Sequence, residues 1–497
     1  MKSYRPYAPH QAYLLPPSPS DWLPESHLAY FILDLVEGLD LGAIERALQA
    51  KDARGERSYS PRMMTALLLY GYATGVFSVR KIARATVEDV AFRVLAGGEH
   101  PHFTTVQEFR AVHRAALANL FGQVLRECQS AGLVKLGHVA IDGTKMKANA
   151  SKHKAMSYDR MQKDEAKIAA EVESLLARAE AVDAEEDRVY GVGQQPEDLP
   201  AELQRREGRL AKIREIRAAL EKEAAQARAL ELREQAAGLR AKAEQPAHSA
   251  RDRAAAKTLA TKRDEQAALF DDDDLDPPAP TPDDDLPRAK PPTTKAGQPR
   301  PKAQRNFTDA DSRIMFRDGA YMQAFNAQLA VDEGHQIIVA AALSNNAADA
   351  GYFAPMLSRT IRNCDAVPEH VTADAGYFSA DNVQFAERHG SEPFISVGKH
   401  RNDGSPAELP DGLHWRTQPR QRMRTVLESP RGRALYARRK ATVEPVFGQI
   451  RCCQGFQKLS FRGLFKNRCE WLLVALTHNL LKLFRATVQR PNAQLTA

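Results

Sequence analysis

The feature that most constrains this chain is a strand-like pattern divided by a long helical one. Runs typical of β-strands occupy residues 134–150 and return from about residue 306. Between them, from about residue 155 to 268, Leu, Ile and Ala recur at helical spacing among Glu, Lys and Arg, which is typical of a long helical hairpin or coiled coil. We therefore predict one α/β domain, formed by residues 134–151 and 306–485, with a hairpin of two long antiparallel helices inserted at 152–269.

The remaining segments differ in composition. Residues 25–133 contain short amphipathic stretches, which predict an all-α N-terminal domain. Residues 270–305 are rich in acids and prolines and have little apolar surface to bury, so we predict a disordered linker there. Residues 1–24 and 486–497 are expected to be tails.

The bulk composition narrows the class of protein. At 497 residues the chain is long enough for two or three structural units, and its net charge of +7 suits a polyanionic partner. The five cysteines are odd in number and include no CxxC pair, so neither a zinc site nor a disulfide framework is predicted. With no apolar signal-peptide core and no long apolar run, we expect a cytoplasmic protein without a membrane segment.

A glycine turn in the N-terminal domain precedes a basic helix. In "GYATGVFSVRKIAR", Arg80, Lys81 and Arg84 would share one helical surface. This arrangement is typical of a helix-turn-helix DNA-binding unit. The alternative is an ordinary helical bundle with a solvated basic face.

Two aspartates each follow a short strand-like run and precede a glycine. Asp142 lies in "VAIDGTK", and Asp374 lies in "VTADAGY". Each could belong to a turn, because Asp and Gly are both favoured there. The repetition favours a second interpretation, in which the two carboxylates lie at strand ends as metal ligands.

A third acid, Glu444, lies in the basic stretch "YARRKATVEPVFGQIR". If this stretch is helical, Lys440, Glu444 and Arg451 share a face. Pro445 must then lie in a first helical turn or kink the helix near Ala441. The alternative for Glu444 is a surface salt bridge, which is the commoner case.

Three carboxylates on two strand ends and one helix would suit Mg²⁺, or Mn²⁺, because these ions prefer hard oxygen ligands. Such ions can activate a water or a 3′-hydroxyl and stabilise the departing oxygen of a phosphodiester. Cationic residues beside Glu444, namely Arg439, Lys440 and Arg451, would then contact the DNA backbone.

The order of these sequence motifs resembles that found in the bacterial insertion-sequence transposases of the DDE class, in the branch with a long helical insertion after the first aspartate. The matching stretches are "AIDGTKMKANAS", "FTDADSRIM", "GAYMQAFNAQLAVD", "TADAGY", "TVEPVFGQIR", "FRGL" and "HNLLKL". In the N-terminal domain, "FSVRKIAR" and "FTTVQEFRAVH" resemble the helical domain of that family. The resemblance covers about residues 25 to 485.

The resemblance implies a ribonuclease H-like α/β catalytic core whose mixed sheet is flanked by helices. It places the catalytic, metal-binding triad on Asp142, Asp374 and Glu444. The implied reaction is metal-dependent cleavage at the ends of the element, followed by joining of the 3′-hydroxyl to target DNA. The implied partners are the terminal inverted repeats, target DNA and further copies of the chain.

The residues around Glu444 depart from the family pattern. The usual arginine position holds Lys440, the usual tyrosine position holds Ala437, and the usual lysine position holds Arg451, while Tyr436 and Arg439 are each displaced by one. Two other functions stay open. One is a catalytically inactive or domesticated DNA-binding relative, and the other is a tyrosine recombinase using Tyr436, which metal dependence would distinguish.

Overall fold

A computed structural model describes residues 18, 21–50, 57–190, 201–244, 249–270, 285–398 and 414–489. The helices are α1 (Leu28–Gly38), α2 (Gly42–Gln49), α3 (Pro61–Ala73), α4 (Val79–Glu88), α5 (Val90–Leu95), α6 (Phe103–Val112), α7 (Arg114–Ser130), α8 (Tyr158–Tyr190), α9 (Ala201–Glu244), α10 (Ala250–Ala268), α11 (Phe353–Cys364), α12 (Ala380–Arg388), α13 (His414–Glu428), α14 (Pro430–Gly448) and α15 (Leu464–Phe484). The strands are β1 (His138–Lys147), β2 (Ala155–Ser157), β3 (Gln304–Asn306), β4 (Arg313–Arg317), β5 (Ala320–Asp332), β6 (Ile338–Ser344), β7 (His370–Ala373) and β8 (Glu392–Ile395).

One mixed sheet forms the centre of the molecule. Its strands lie in the order β6-β5-β1-β7-β8. The long strand β5 pairs with two strands on the side away from β1: its first residues pair with β4, and its later residues pair with β6. β1 is antiparallel to β5 and parallel to β7, which is in turn parallel to β8. A mixed sheet flanked by helices confirms the predicted ribonuclease H-like α/β fold.

The N-terminal helices share a core with this sheet. α3 is apolar around most of its circumference, and every residue from Met64 to Ala73 is buried. The apolar helix α15 contacts α3, α7 and β6, so it lies between the N-terminal helices and the sheet. The contact is also polar, because the Tyr72 hydroxyl donates to buried Glu470 at 2.9 Å and Arg110 donates to Tyr72 at 3.1 Å. The helical region is therefore packed onto the α/β core.

The inserted segment contains three described helices, so the prediction of two was incomplete. Ion pairs from Arg206 to Glu171 and from Arg214 to Glu165 show that α8 and α9 are antiparallel. Their seam buries Met161, Ile168, Leu210 and Ile213, among others. α10 packs along the second half of α9, where buried Leu232 and Ala267 meet. The predicted bend, residues 191–200, lies outside the described residues.

The prediction of disorder across 270–305 is wrong for residues 285–305, while 271–284 lie outside the described residues. Leu286 is 3% exposed and belongs to the main core. Asp285 pairs with Arg359 of α11, and the Ala289 amide donates to Asn345 at 2.9 Å. One apolar anchor and several polar contacts fix a segment whose composition alone argues against order. We call residues 285–303 the strap.

None of the helices in the described ranges combines the length and apolarity needed to cross a membrane.

Candidate active site

Asp142 and Asp374 lie side by side on neighbouring strands. The parallel pairing of β1 with β7 ends at Ile141 opposite Ala373, and each aspartate is the next residue of its strand path. Since paired strands are about 4.8 Å apart, this register brings the two residues together at the carboxyl edge of the parallel strands. Asp374 caps a short 3₁₀ turn by accepting from the Gly376 amide at 2.8 Å.

Asp142 does not end its strand, which corrects the sequence prediction. β1 continues to Lys147 because β5 pairs with it along the whole of Gly143–Lys147 after β7 has stopped. The interpretation of Asp142-Gly143 as a turn is therefore also wrong. Gly143 has another role, since a Cβ there would collide with the Gln328 amide and lie 3.0 Å from the Tyr377 hydroxyl.

Glu444 approaches from α14, which runs across the sheet and contacts β1, β5 and β7. Pro445 lies inside this helix, not in its first turn. A proline has no amide hydrogen, so the Ala441 carbonyl has no helical donor. The Gln336 side chain donates to that carbonyl at 3.1 Å, which compensates for the lost hydrogen bond.

Arg439 joins the acids. Its Nη1 donates to Asp142 Oδ2 at 2.9 Å, and its Nη2 lies 3.9 Å from Glu444 Oε1. The Arg439 side chain is only 9% exposed, whereas Glu444 is 54% exposed. Tyr436 lies under the guanidinium, with its ring centre 5.8 Å from Arg439 Cζ. The structure thus places Arg439 at the acids, while Lys440 is exposed.

Burial dominates the electrostatics of Asp142. Loss of solvent raises the pKa of its carboxyl from 3.8 to about 6, although Arg439 and the Gly143 amide oppose this and Asp374 adds to it. Burial lowers the pKa of Arg439, but Asp142, Tyr436 and Asp374 outweigh it, so the Arg439 pKa lies above its ordinary value. Asp374 is therefore close enough to act on both partners of this ion pair.

The carboxylates of Asp142, Asp374 and Glu444 are ligands that suit a hard divalent cation. In this structure the Arg439 guanidinium lies against two of them. Within the described ranges, no group of three or more His, Cys, Asp or Glu side chains is arranged so that it could hold a metal ion. Arg439 instead lies between Asp142 and Glu444 and balances their charge. The donor chemistry fits Mg²⁺ or Mn²⁺, since every candidate ligand is a carboxylate oxygen.

A polar layer that the sequence did not reveal supports the aspartates from the other face of β1. Asp349 Oδ1 accepts from Lys145 at 3.0 Å, from Asn326 at 2.7 Å and from Gln328 at 3.1 Å. Tyr377 donates to the Oε1 of Gln328. Burial first, and then Asp349, Asp142 and Asp374, raise the pKa of Tyr377 well above its ordinary value. The available signal was that Asp349 follows β6, which makes it a third acid placed after a strand.

The predicted DNA-binding residues of α4 lie on its exposed side. Val79, Ile82 and Thr86 face the core, so Arg80, Lys81 and Arg84 are exposed. Arg84 pairs with Glu88 at 2.7 Å, and Arg80 lies over the Phe103 ring at 4.8 Å. The glycine turn before α4 packs on the catalytic core, because a Cβ on Gly75 would lie 2.7 Å from the Gln454 carbonyl oxygen.

Comparison with known proteins identifies two regions. Residues 292–480 match the family model described as "Transposase DDE domain", and residues 17–112 match the one described as "Transposase domain (DUF772)". The first match includes Asp374 and Glu444 but begins after Asp142. No curated protein and no solved structure matches the chain.

Proposed function

Because this chain belongs to the insertion-sequence transposases of the DDE class, we propose that it cleaves DNA at the ends of its element and joins the freed 3′-hydroxyl to target DNA. Its substrates are the terminal inverted repeats and the target duplex, encountered in the bacterial cytoplasm at the nucleoid. Two ends must be held together for joining, which favours a homo-oligomer in the DNA complex.

Two observations support this proposal: Arg439 lies against two of the acids, and the third acid follows the strand next to Asp142. Asp142 and Asp374 are neighbours in register, and Glu444 approaches the same Arg439 from α14. A single arginine cannot balance three carboxylates, so the cluster favours additional positive charge. Asp142, Asp374 and Glu444 would hold Mg²⁺ or Mn²⁺, which supplies charge stabilisation for the displaced phosphodiester oxygen.

The protein's own residues bind and orient the DNA. Lys440 is exposed one position after Arg439, and Arg451 lies near the Phe447 ring at 5.9 Å, at the end of the same helix. Both are placed to contact phosphates on the side of α14 that carries Glu444. Arg80, Lys81 and Arg84 on α4 add contacts farther along the duplex. Asp349 with its donors links β1, which carries Asp142, to β5.

A strand-transfer assay with the DNA that flanks this gene tests the proposal. Wild-type protein should cleave and join only with Mg²⁺ or Mn²⁺, and Asp374→Asn or Glu444→Gln should abolish both steps while DNA binding persists. Glu37→Gln is the matched control, because that side chain is 75% exposed on α1. Binding without cleavage by the wild type would instead identify an inactive relative.

The same assay separates a tyrosine recombinase. Tyr436 is partly buried against Arg439. Cleavage that continues in EDTA, is lost in Tyr436→Phe and leaves DNA attached to the protein would refute the metal-dependent reaction.

A further inference from the structure

The β4–β5 hairpin, residues 313–323, exposes an apolar surface where a sheet would normally bury one. Ile314, Phe316 and Tyr321 are 39%, 57% and 62% exposed. Phe316 lies directly opposite Tyr321, and their ring centres are 5.1 Å apart. Asp318 and Gly319 form the turn with φ angles of 51° and 78°, which match the twist of a two-residue hairpin. We call residues 313–323 the aromatic hairpin.

The exposed rings lie on the same face of the sheet as Asp142. Asp142 is opposite Leu329 on β5, and Tyr321 precedes Leu329 by eight residues, so alternation places both side chains on one face. Eight residues of β5 separate Tyr321 from the position opposite Asp142, but the hairpin folds back toward β1, because Arg317 Nη1 donates to the Lys145 carbonyl. The aromatic hairpin therefore lies beside the strand that carries Asp142.

Exposed cations lie beside the base of the hairpin. Three of them, Lys458, Arg462 and Lys466, form what we call the basic rim. The segment that carries them runs beside β1, since the Leu459 amide donates to the Lys147 carbonyl at 2.9 Å. It then reaches the base of β4, where the Leu464 amide donates to Asp311 at 2.8 Å. The rim therefore connects the end of β1 with the aromatic hairpin.

We propose that the aromatic hairpin binds duplex DNA beside the cleaved bond, with Phe316 and Tyr321 inserting against a base plane. The inference rests on the proposed function for the position of the DNA. Cations of the basic rim would hold the phosphates beside the hairpin. Apolar wedges of this kind partly unstack a base step, and the stacking of a base on an aromatic ring contributes substantially to affinity.

The test uses a duplex with 2-aminopurine placed at successive positions, kept intact by EDTA. Wild-type protein should raise the fluorescence at one or two positions close to the bond that is cut when Mg²⁺ is supplied. The double variant Phe316→Thr, Tyr321→Thr keeps the β propensity of the hairpin and removes the rings. It should lose the signal and bind the duplex about tenfold more weakly.

Two control variants isolate the rings. Phe316→Tyr with Tyr321→Phe retains aromaticity and should behave as wild type. Val367→Thr removes an apolar side chain that is 40% exposed in the loop between α11 and β7, and should leave binding unchanged.

The outcomes separate this inference from the proposed function. Normal cleavage and binding by the threonine variant would overturn the inference and leave the function standing. If the wild type binds DNA through the hairpin but does not cleave it, the inference would stand and the proposed function would be overturned. A lower oligomer mass for the threonine variant, with unchanged DNA binding, would show that the hairpin contacts another copy of the chain and would overturn the inference.

Discussion

Asp142→Asn is expected to make the metal-free protein more stable at pH 7. The pKa of Asp142 rises from 3.8 to about 6, mainly because the carboxyl is buried. A raised carboxyl pKa means that the folded state binds the proton more tightly than the unfolded state. Stability is therefore greatest below about pH 4 and is lost as the pH rises from 3.8 to about 6.

The magnitude follows from that shift. About two pKa units at 1.36 kcal/mol each correspond to about 3 kcal/mol at pH 7. Asparagine resembles the protonated carboxyl in shape and carries no charge, so the variant should avoid this cost. At pH 5 the carboxyl of the wild type is mostly protonated in the folded state, and the advantage should fall to about 1.6 kcal/mol.

Urea unfolding in EDTA, followed by the fluorescence of the buried Trp471, measures the difference. Asp318→Asn serves as the control and should change stability by less than about 0.5 kcal/mol. Addition of Mg²⁺ should stabilise the wild type more than the variant, because a ligand that binds only the folded state raises its stability. If the asparagine variant is less stable than the wild type in EDTA at pH 7, the ion pair with Arg439 outweighs burial and the reasoning fails.

Three other changes have defined outcomes. Asp374→Asn or Glu444→Gln should abolish strand transfer in a gel assay, with the affinity for the DNA end changed by less than about threefold, because the phosphate contacts remain; loss of binding would contradict this. Lys81→Glu should weaken DNA binding and reduce the slope of log affinity against log salt concentration by about one. Arg84→Glu should weaken binding less, because Arg84 is already paired with Glu88. Equal losses of affinity in the two variants would refute this distinction. Glu223→Ala should destabilise the fold by about 3 kcal/mol in urea unfolding, because it leaves two buried arginines at the base of the aromatic hairpin without their shared carboxylate; an unchanged midpoint would show that the insertion is not fastened there.

Glu223 joins the inserted helices to the α/β domain through two ion pairs. The carboxylate belongs to α9 and pairs with Arg305 and Arg313, which are 5% and 17% exposed. Burial, with a smaller effect from Arg313, lowers the pKa of Arg305 to about 9, and burial lowers that of Arg313 to about 10, while Asp311 opposes both shifts. A deletion that joins Ser151 to Asn306 would remove Glu223 and the strap together, and we expect the shortened chain not to fold.

The sequence by itself determined the kind of fold and the order of its acids. Strand-like and helical periodicities are local, and they predicted the divided α/β domain, the N-terminal helices and the short strand before Asp374. The repeated pattern of an acid after a strand-like run identified Asp142 and Asp374 as a pair, although their role as metal ligands stays a prediction.

Only the tertiary structure decided which residues surround those acids. Arg439 and Asp142 are separated by 297 positions, so no local pattern shows that Arg439, and not Lys440, reaches the carboxylate. Asp349 follows β6 only after an intervening loop, so its position was a weak signal, yet folding gives it three donors beneath the site. The composition of the strap predicts disorder because it contains few apolar residues. Burial of Leu286 and polar contacts with Asn345 and Arg359 are enough to order it. Periodicity reports the environment of a segment along its own chain, whereas these contacts depend on which segments the sheet brings together.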